Sequence, residues 1–166
     1  MKSYREIWEL FYDHTFVGNV LRYSTLLEFE LNALIAQYFI RSDRYEYAME
    51  ELLPELTFGK KIDILTHLPV RKSLSSYQQA ISGLRRFQKI RNIVAHNPSV
   101  SLSKAKLFSN DGNFKQMLQE YPTGMQQEYR QTLRALSRLL KIREFRNAQS
   151  NKAIDSQTIS LRNWLS

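Results

Sequence analysis

Residues 15–40 read TFVGNVLRYSTLLEFELNALIAQYFI, and their pattern predicts a single long helix. Apolar side chains recur at spacings of three, four and seven residues, which is the periodicity of an amphipathic helix. At 100° per residue, these positions cover roughly a third or more of the helix surface. The stripe consists of Phe16, Val20, Leu27, Leu31, Leu34 and Tyr38, and it is widened by Val17, Leu21, Ile35 and Phe39. We therefore expect this helix to lie at the centre of the fold.

Shorter helices are predicted on both sides of the central one. Their approximate ranges are 4–13, 42–53, 57–68, 73–96 and 123–145. The helix over 73–96 has a well-defined end, because Pro98 pushes Asn97 out of the α region. Between Ser99 and Gly112 the pattern is weak and favours a loop or a short hairpin arm. The sequence thus predicts an all-α protein, an antiparallel bundle of four to five helices with an irregular arm after the helix over 73–96.

The chain of 166 residues is long enough for one domain with a sizeable core. We expect residues 1–147 to form this helical domain and residues 148–166 to form a polar C-terminal tail. The absence of cysteine excludes disulfides, thiolate metal sites and cysteine nucleophiles. The N-terminus lacks the apolar run of a signal peptide, and no segment is apolar enough to span a bilayer. These features predict a cytoplasmic protein.

The segment Arg91-Asn92-Ile93-Val94-Ala95-His96 closes the helix over 73–96. Arg91 projects into the apolar arc of that helix, where an unpaired charge is costly, so it either pairs with an acid or faces a polar cleft. His96 lies at the helix C-terminus, where the helix dipole favours a protonated imidazole. The two side chains point about 140° apart on an ideal helix. They can share a site only if the helix ends or distorts between them, or if a second copy of the chain lies opposite.

Glu28 is the natural partner for Arg91, because the periodicity places its carboxylate inside the apolar stripe of the central helix. If the two pair fully, Arg91 is less available for another anion. A structural role for Arg91, with His96 as a helix cap, would then be favoured. The other histidines, His14 and His67, have no neighbours at metal-ligand spacing, so we expect no metal site.

The six residues from Arg91 to His96 resemble the Arg-x4–6-His motif of the HEPN superfamily, helical nucleotide-binding domains common in prokaryotic conflict systems. Asn92 directly follows the arginine, as in the commonest form of that motif. The surroundings are similar too, with Glu28 in a long helix and a Phe58-Gly59-Lys60-Lys61 segment before the motif helix. The resemblance covers residues 17–98.

The resemblance implies a metal-independent endoribonuclease that needs no cofactor and acts on RNA as a homodimer. His96 would serve as general base on the ribose 2′-hydroxyl or as general acid on the leaving oxygen. Arg91 would hold the scissile phosphate, Asn92 would orient the histidine or the phosphate, and Glu28 would support Arg91 from behind. The products would carry 2′,3′-cyclic phosphate and 5′-hydroxyl ends. In the dimer, each motif residue can meet its counterpart across the two-fold axis.

Basic residues supply a second signal, since the formal net charge is +8 and such an excess attracts polyanions. Lys89, Lys104 and Lys106 lie close to His96 in sequence and are candidates for nucleic-acid binding. A further row runs along the last predicted helix and comprises Arg130, Arg134, Arg138 and Lys141. Such rows are usually solvated helix faces, and we interpret this one in that way.

Three functional interpretations follow from these residues. The first is a HEPN-type ribonuclease acting as a toxin or abortive-infection effector, together with a cognate antitoxin or regulatory protein. The second is a non-catalytic relative that binds nucleotide, nucleic acid or protein. The mannitol-operon repressor group belongs here, because it shares a similar helical layout and a similar end to the helix. The third is an antitoxin or scaffold in which Arg91 and His96 are merely structural.

Overall fold

The computed structural model describes residue 2 and residues 4–39, 44–68, 71–96 and 111–142. These residues form α1 (Tyr4–Leu10), α2 (His14–Phe39), α3 (Tyr45–Tyr47) with a following π-helical turn (Ala48–Leu52), α4 (Phe58–His67), α5 (Ser75–Ala95), α6 (Gly112–Gln119) and α7 (Thr123–Leu139). Within the described ranges there is no strand, so the predicted all-α bundle is confirmed. The arm expected over 99–110 and the tail expected over 148–166 lie outside the described residues.

Side chains cap the start of three helices. Asp13 precedes α2, Thr57 precedes α4 and Asp111 precedes α6, and each accepts a hydrogen bond from the backbone N–H three residues further on. The hydrogen bond from the Phe16 backbone lowers the pKa of Asp13 below its usual value. These caps satisfy N–H groups that the helices themselves leave without partners.

Helix α6 was not predicted, because the pattern up to Gly112 favoured a loop or a hairpin arm. The structure instead begins a helix at Gly112, capped by Asp111 and continuing to Gln119. A helix of eight residues is marginal alone and depends on tertiary packing, which a periodicity criterion does not see. Here the packing comes from the buried side chains Phe114, Met117 and Leu118.

Helix α2 lies at the centre of the bundle, as predicted, and contacts α4, α5 and α7. The core of the predicted stripe is buried, including Phe16, Val20, Leu27, Leu31 and Leu34. Two residues assigned to its edges, Leu21 and Phe39, are exposed. The reason is geometric, since residues at the margins of a wide stripe point past the neighbouring helices.

The neighbours of α5 place the motif at one end of the bundle. Helix α4 runs antiparallel to α5, with the Asp63–Arg85 ion pair and the Tyr77 hydroxyl donating to the Leu65 carbonyl. Helix α7 is also antiparallel to α5, because Gly83 lies against Thr132 while Arg86 pairs with Glu128. These contacts with the two flanking helices extend along α5 from Tyr77 to Arg86, toward the turn that carries Arg91.

The surroundings of two helical glycines predict opposite effects of substitution by alanine on the free energy of unfolding. A Cβ at Gly83 would lie 2.8 Å from both the Cβ and the Cγ2 atoms of Thr132, whereas a Cβ at Gly18 would enter open space. We expect Gly83→Ala to lower the free energy of unfolding by about 1–3 kcal/mol through overpacking. Gly18→Ala should raise it by about 0.5–1 kcal/mol through helix propensity. Urea unfolding checks both, and a stabilised Gly83→Ala variant would contradict the close packing of α5 on α7.

Candidate active site

A carboxylate shared by two cations forms the polar centre of the motif region. Glu28 of α2 accepts a hydrogen bond from Lys61 Nζ of α4 at Oε1 (2.6 Å) and another from Arg91 Nη1 of α5 at Oε2 (2.7 Å). The expected Glu28–Arg91 pair is therefore confirmed. The second cation was not foreseen. The three side chains, called here the Glu28 cluster, join α2, α4 and α5.

Lys61 reaches the cluster because it lies on the apolar face of α4. Its neighbours on that face, Phe58, Ile62 and Leu65, are buried, and the Lys61 side chain itself is only 2% exposed. A buried ammonium is tolerated when it is paired, and Glu28 supplies that pairing. The sequence signal was available, since the apolar spacing of α4 places this lysine between its buried residues. Lys61 belongs to the Phe58-Gly59-Lys60-Lys61 segment, whose resemblance to the family implies no role for this lysine.

The guanidinium of Arg91 is only partly committed to Glu28. Its side chain is 36% exposed, and among the described residues its sole hydrogen bond is the one through Nη1. Its Cζ atom lies 5.8 Å from the ring centroid of Phe58, within the range of a cation–π contact. Because Lys61 occupies one oxygen of Glu28, Arg91 is held by the other oxygen alone. The remaining donors of Arg91 are available to a ligand.

Arg91 opens onto a cavity of about 450 Å³ between α2, α5 and the segment before α4. This volume is within the range of small-molecule sites, about 300–1,000 Å³. The wall is formed by Glu28, Pro54, Glu55, Leu56, Thr57, Phe58, Gly59, Gln88, Arg91 and Asn92. A Cβ at Gly59 would overlap the terminal amide of Gln88, which is the end of a flexible side chain and can shift. The cavity thus brings together three predicted site residues, Glu28, Arg91 and Asn92.

The charges around this cavity balance. Glu28 and Glu55 contribute two carboxylates to its wall, while Arg91 on the wall and Lys61 behind Glu28 contribute two cations. A polyanion would therefore gain little general electrostatic attraction from the described part of this site. Its recognition here would depend on directed hydrogen bonds from Arg91 and Asn92.

His96 lies outside the wall of the cavity. Helix α5 ends at Ala95, and His96 is its exposed C-cap, with a backbone N–H that donates to the Asn92 carbonyl at 3.0 Å. The helix is regular from Arg91 to Ala95, and the backbone departs from helical geometry only at His96 itself (φ −111°, ψ 89°). Within one chain, the cavity is therefore lined by Arg91 and Asn92 but not by His96.

Of the three predicted lysines, the structure describes Lys89, which is not among the residues that line the cavity. Lys89 lies on another side of α5, where its Nζ is 4.5 Å from the ring centroid of Phe114 in α6. Burial lowers the pKa of Lys89, and the nearby charge of Asp111 acts in the opposite direction. Lys104 and Lys106 lie outside the described residues.

Comparisons with known proteins give no match, since no family model, curated protein or solved structure is significantly similar to this chain. In the described ranges, no three His, Asp or Glu side chains are grouped closely enough to hold a metal ion. None of the helices that the structure describes is both long and apolar enough to cross a membrane.

The Glu28 cluster predicts that two adjacent lysines differ sharply in their effect on stability. Removing one partner of a buried ion pair costs about 3–5 kcal/mol, and because Arg91 still binds Glu28 we expect Lys61→Met to cost about 2–4 kcal/mol. Lys60→Met is the matched control on the exposed side of α4 and should change stability by less than about 0.5 kcal/mol. Adding Glu28→Gln to Lys61→Met should recover part of the loss. Equal urea midpoints for the two single variants would show that the buried pair contributes nothing.

Proposed function

We propose that this chain is a HEPN-type metal-independent endoribonuclease that acts as a homodimer in the cytoplasm, as a toxin or abortive-infection effector. The observation that carries the proposal is the position of Arg91. Its guanidinium is anchored by one hydrogen bond to Glu28, and Arg91 lines a cavity that Asn92 also lines. An arginine held in this way suits a phosphate, because its planar fork of donors matches phosphate oxygens.

In the proposed reaction, Arg91 binds the scissile phosphate and stabilises the charge that develops in the transition state. Glu28 and Lys61 act as positioning residues. Lys61 fixes one oxygen of Glu28, so that the other oxygen fixes Nη1 of Arg91. The guanidinium is then oriented before substrate arrives, which reduces the reorganisation needed during the reaction. Asn92 adds an amide at the cavity wall, suited to a phosphate oxygen or the ribose.

His96 supplies the proton transfer in this proposal. As general base it would take the proton of the ribose 2′-hydroxyl, whose oxygen then attacks the adjacent phosphorus and expels the 5′-oxygen of the next nucleotide. The expelled oxygen would take a proton from water and leave as the 5′-hydroxyl. Because His96 lies beyond the helix end and away from the cavity of its own chain, we propose that it serves the cavity of the partner. A C2 dimer through the motif ends of α5 would provide that arrangement.

A second candidate function is favoured by the balanced charge of the cavity. With Glu55 on its wall and Glu28 bound to Arg91, the cavity also suits an uncharged polar ligand or a protein side chain. The chain would then be a non-catalytic HEPN-like regulator or binding module, similar to the mannitol-operon repressors. Arg91 would be a structural partner of Glu28 in that case.

The deciding experiment is cleavage of total cellular RNA in the presence of EDTA. We expect the wild type to leave 2′,3′-cyclic phosphate ends, and His96→Ala to reduce the rate by about 10²–10⁴-fold through loss of acid–base catalysis. His67→Ala is the matched control, because His67 is also exposed near a helix C-terminus but lies on α4. Absence of cleavage by a folded wild-type dimer would favour the regulatory function instead.

Mixing two inactive variants tests whether the site is shared between protomers. If Arg91 of one chain works with His96 of the other, Arg91→Ala and His96→Ala homodimers should both be inactive. Exchanging their subunits should restore about a quarter of wild-type activity, because half of the random dimers contain one intact site of two. Light scattering gives the oligomeric state of each sample. No restored activity in proven mixed dimers would refute the shared site.

A further inference from the structure

A row of exposed cations follows α7. Arg130, Arg134 and Arg138 lie on successive turns of the helix, and Lys141 lies in the turn after it. At 1.5 Å per residue, neighbouring arginines are separated by about 6 Å along the axis, and the row extends over about 16 Å. The opposite side of α7 is buried, with Tyr129, Thr132, Ala135, Leu136 and Leu139 among its core residues. This row is called here the basic ridge.

The basic ridge lacks acidic partners in the described part of the chain, where none of its four side chains forms an ion pair or hydrogen bond. In the same part, Arg5, Arg85, Arg86 and Arg91 form ion pairs, whereas Arg22, Arg44 and Arg71 form none. The ridge differs from these single unpaired arginines in that its cations lie in a row on one helix. The one acid within α7 is Glu128, whose side chain is 13% exposed and bound to Nη1 of Arg86. The basic ridge is therefore a patch of surface in which four positive charges lie close together.

Helix stability alone does not explain the basic ridge. Cations near a helix C-terminus interact favourably with the dipole, which accounts for Arg138 and Lys141. Arg130 and Arg134 lie further inside the helix, beyond the last turn where that effect acts. Like charges four residues apart repel one another, so the row slightly destabilises α7. A ligand that neutralises the row would offset this repulsion.

The chemistry of the surrounding surface favours one kind of partner. A membrane-bound helix needs large apolar side chains beside its basic ones, and α7 exposes none. A protein interface needs an apolar centre, which this face also lacks. A nucleic-acid backbone needs only cations placed along its phosphates. The residues around the ridge include Gln126, Gln127 and Gln131, which can donate to phosphate or sugar oxygens.

We propose that the basic ridge of α7 is a docking surface for the phosphate backbone of single-stranded RNA, separate from the cavity at Arg91. The choice of RNA rests on the proposed ribonuclease function. The ridge would supply the general attraction that the charge-balanced cavity does not provide. It would raise the local concentration of RNA without reading its sequence, because phosphate contacts carry no base information.

Binding of a short 2′-O-methyl RNA, which cannot be cleaved through its 2′-oxygen, tests the ridge separately from catalysis. Fluorescence anisotropy over a range of salt concentrations gives the number of phosphates neutralised. We expect the triple variant Arg130→Gln, Arg134→Gln, Arg138→Gln to reduce the slope of log Kobs against log[salt] by about 2, since each single-strand contact contributes about 0.7. The same variant should bind about 10- to 100-fold more weakly at moderate salt.

The matched control removes the same charge from elsewhere on the surface. Arg44, Arg71 and Lys72 are exposed and lie outside α7, so their triple glutamine variant should keep the wild-type slope. If the two triple variants bind RNA alike, the ridge is only a solvated helix face. Ridge-dependent binding of polyglutamate or of phosphatidylserine vesicles that exceeds RNA binding would overturn the choice of RNA in favour of an acidic protein or a membrane.

Cleavage assays distinguish failure of the ridge from failure of the proposed function. On cleavable RNA, the ridge variant should raise KM and leave kcat unchanged, whereas His96→Ala should lower kcat and leave the salt slope unchanged. A wild type that binds through the ridge but cleaves no RNA would refute the catalytic proposal and support the docking surface. A wild type that cleaves RNA with equal KM in both triple variants would refute the docking surface alone.

Discussion

The arrangement of α2, α4 and α5 depends on the carboxylate of Glu28. It lies 18% exposed within an apolar stripe, where an unpaired charge would be costly. The structure meets this constraint with two cations, Lys61 from one side and Arg91 from the other. Each of the three helices contributes one charged group. A shift of α4 or of α5 relative to α2 would therefore break a short hydrogen bond to Glu28.

This constraint also determines what Arg91 can do. A lone Glu28–Arg91 pair would neutralise the guanidinium, and the arginine would then be a structural residue. With Lys61 on the second oxygen, Glu28 is shared, and Arg91 keeps part of its charge and most of its donors. The buried lysine is therefore what makes a ligand-binding role for Arg91 physically reasonable. Lys61 also keeps the carboxylate of Glu28 paired beside the apolar core when Arg91 binds a ligand.

The sequence predicted the parts of this structure that repeat regularly along the chain. The long periodic segments α2 and α5 were located within one or two residues of their observed ends, and the position of Glu28 in an apolar stripe predicted its pairing with Arg91. Prediction failed where tertiary contacts decide the outcome. Helix α6 is too short to show a clear period, and no role was predicted for Lys61, whose burial depends on its pairing with Glu28 of another helix.

The positions of His96 and Arg91 explain why the proposed ribonuclease site requires residues from two chains. The angle of about 140° on an ideal helix separates the two residues. In the structure, His96 is the C-cap of α5 and is not among the residues that line the cavity at Arg91. A histidine at the exposed end of a helix is well placed to reach across an interface, whereas an arginine beside a cavity is placed to hold a ligand. The two tasks of a ribonuclease, holding phosphate and moving a proton, would thus be divided between chains. General attraction for RNA would come from a third place, the basic ridge, which leaves the cavity free to be selective.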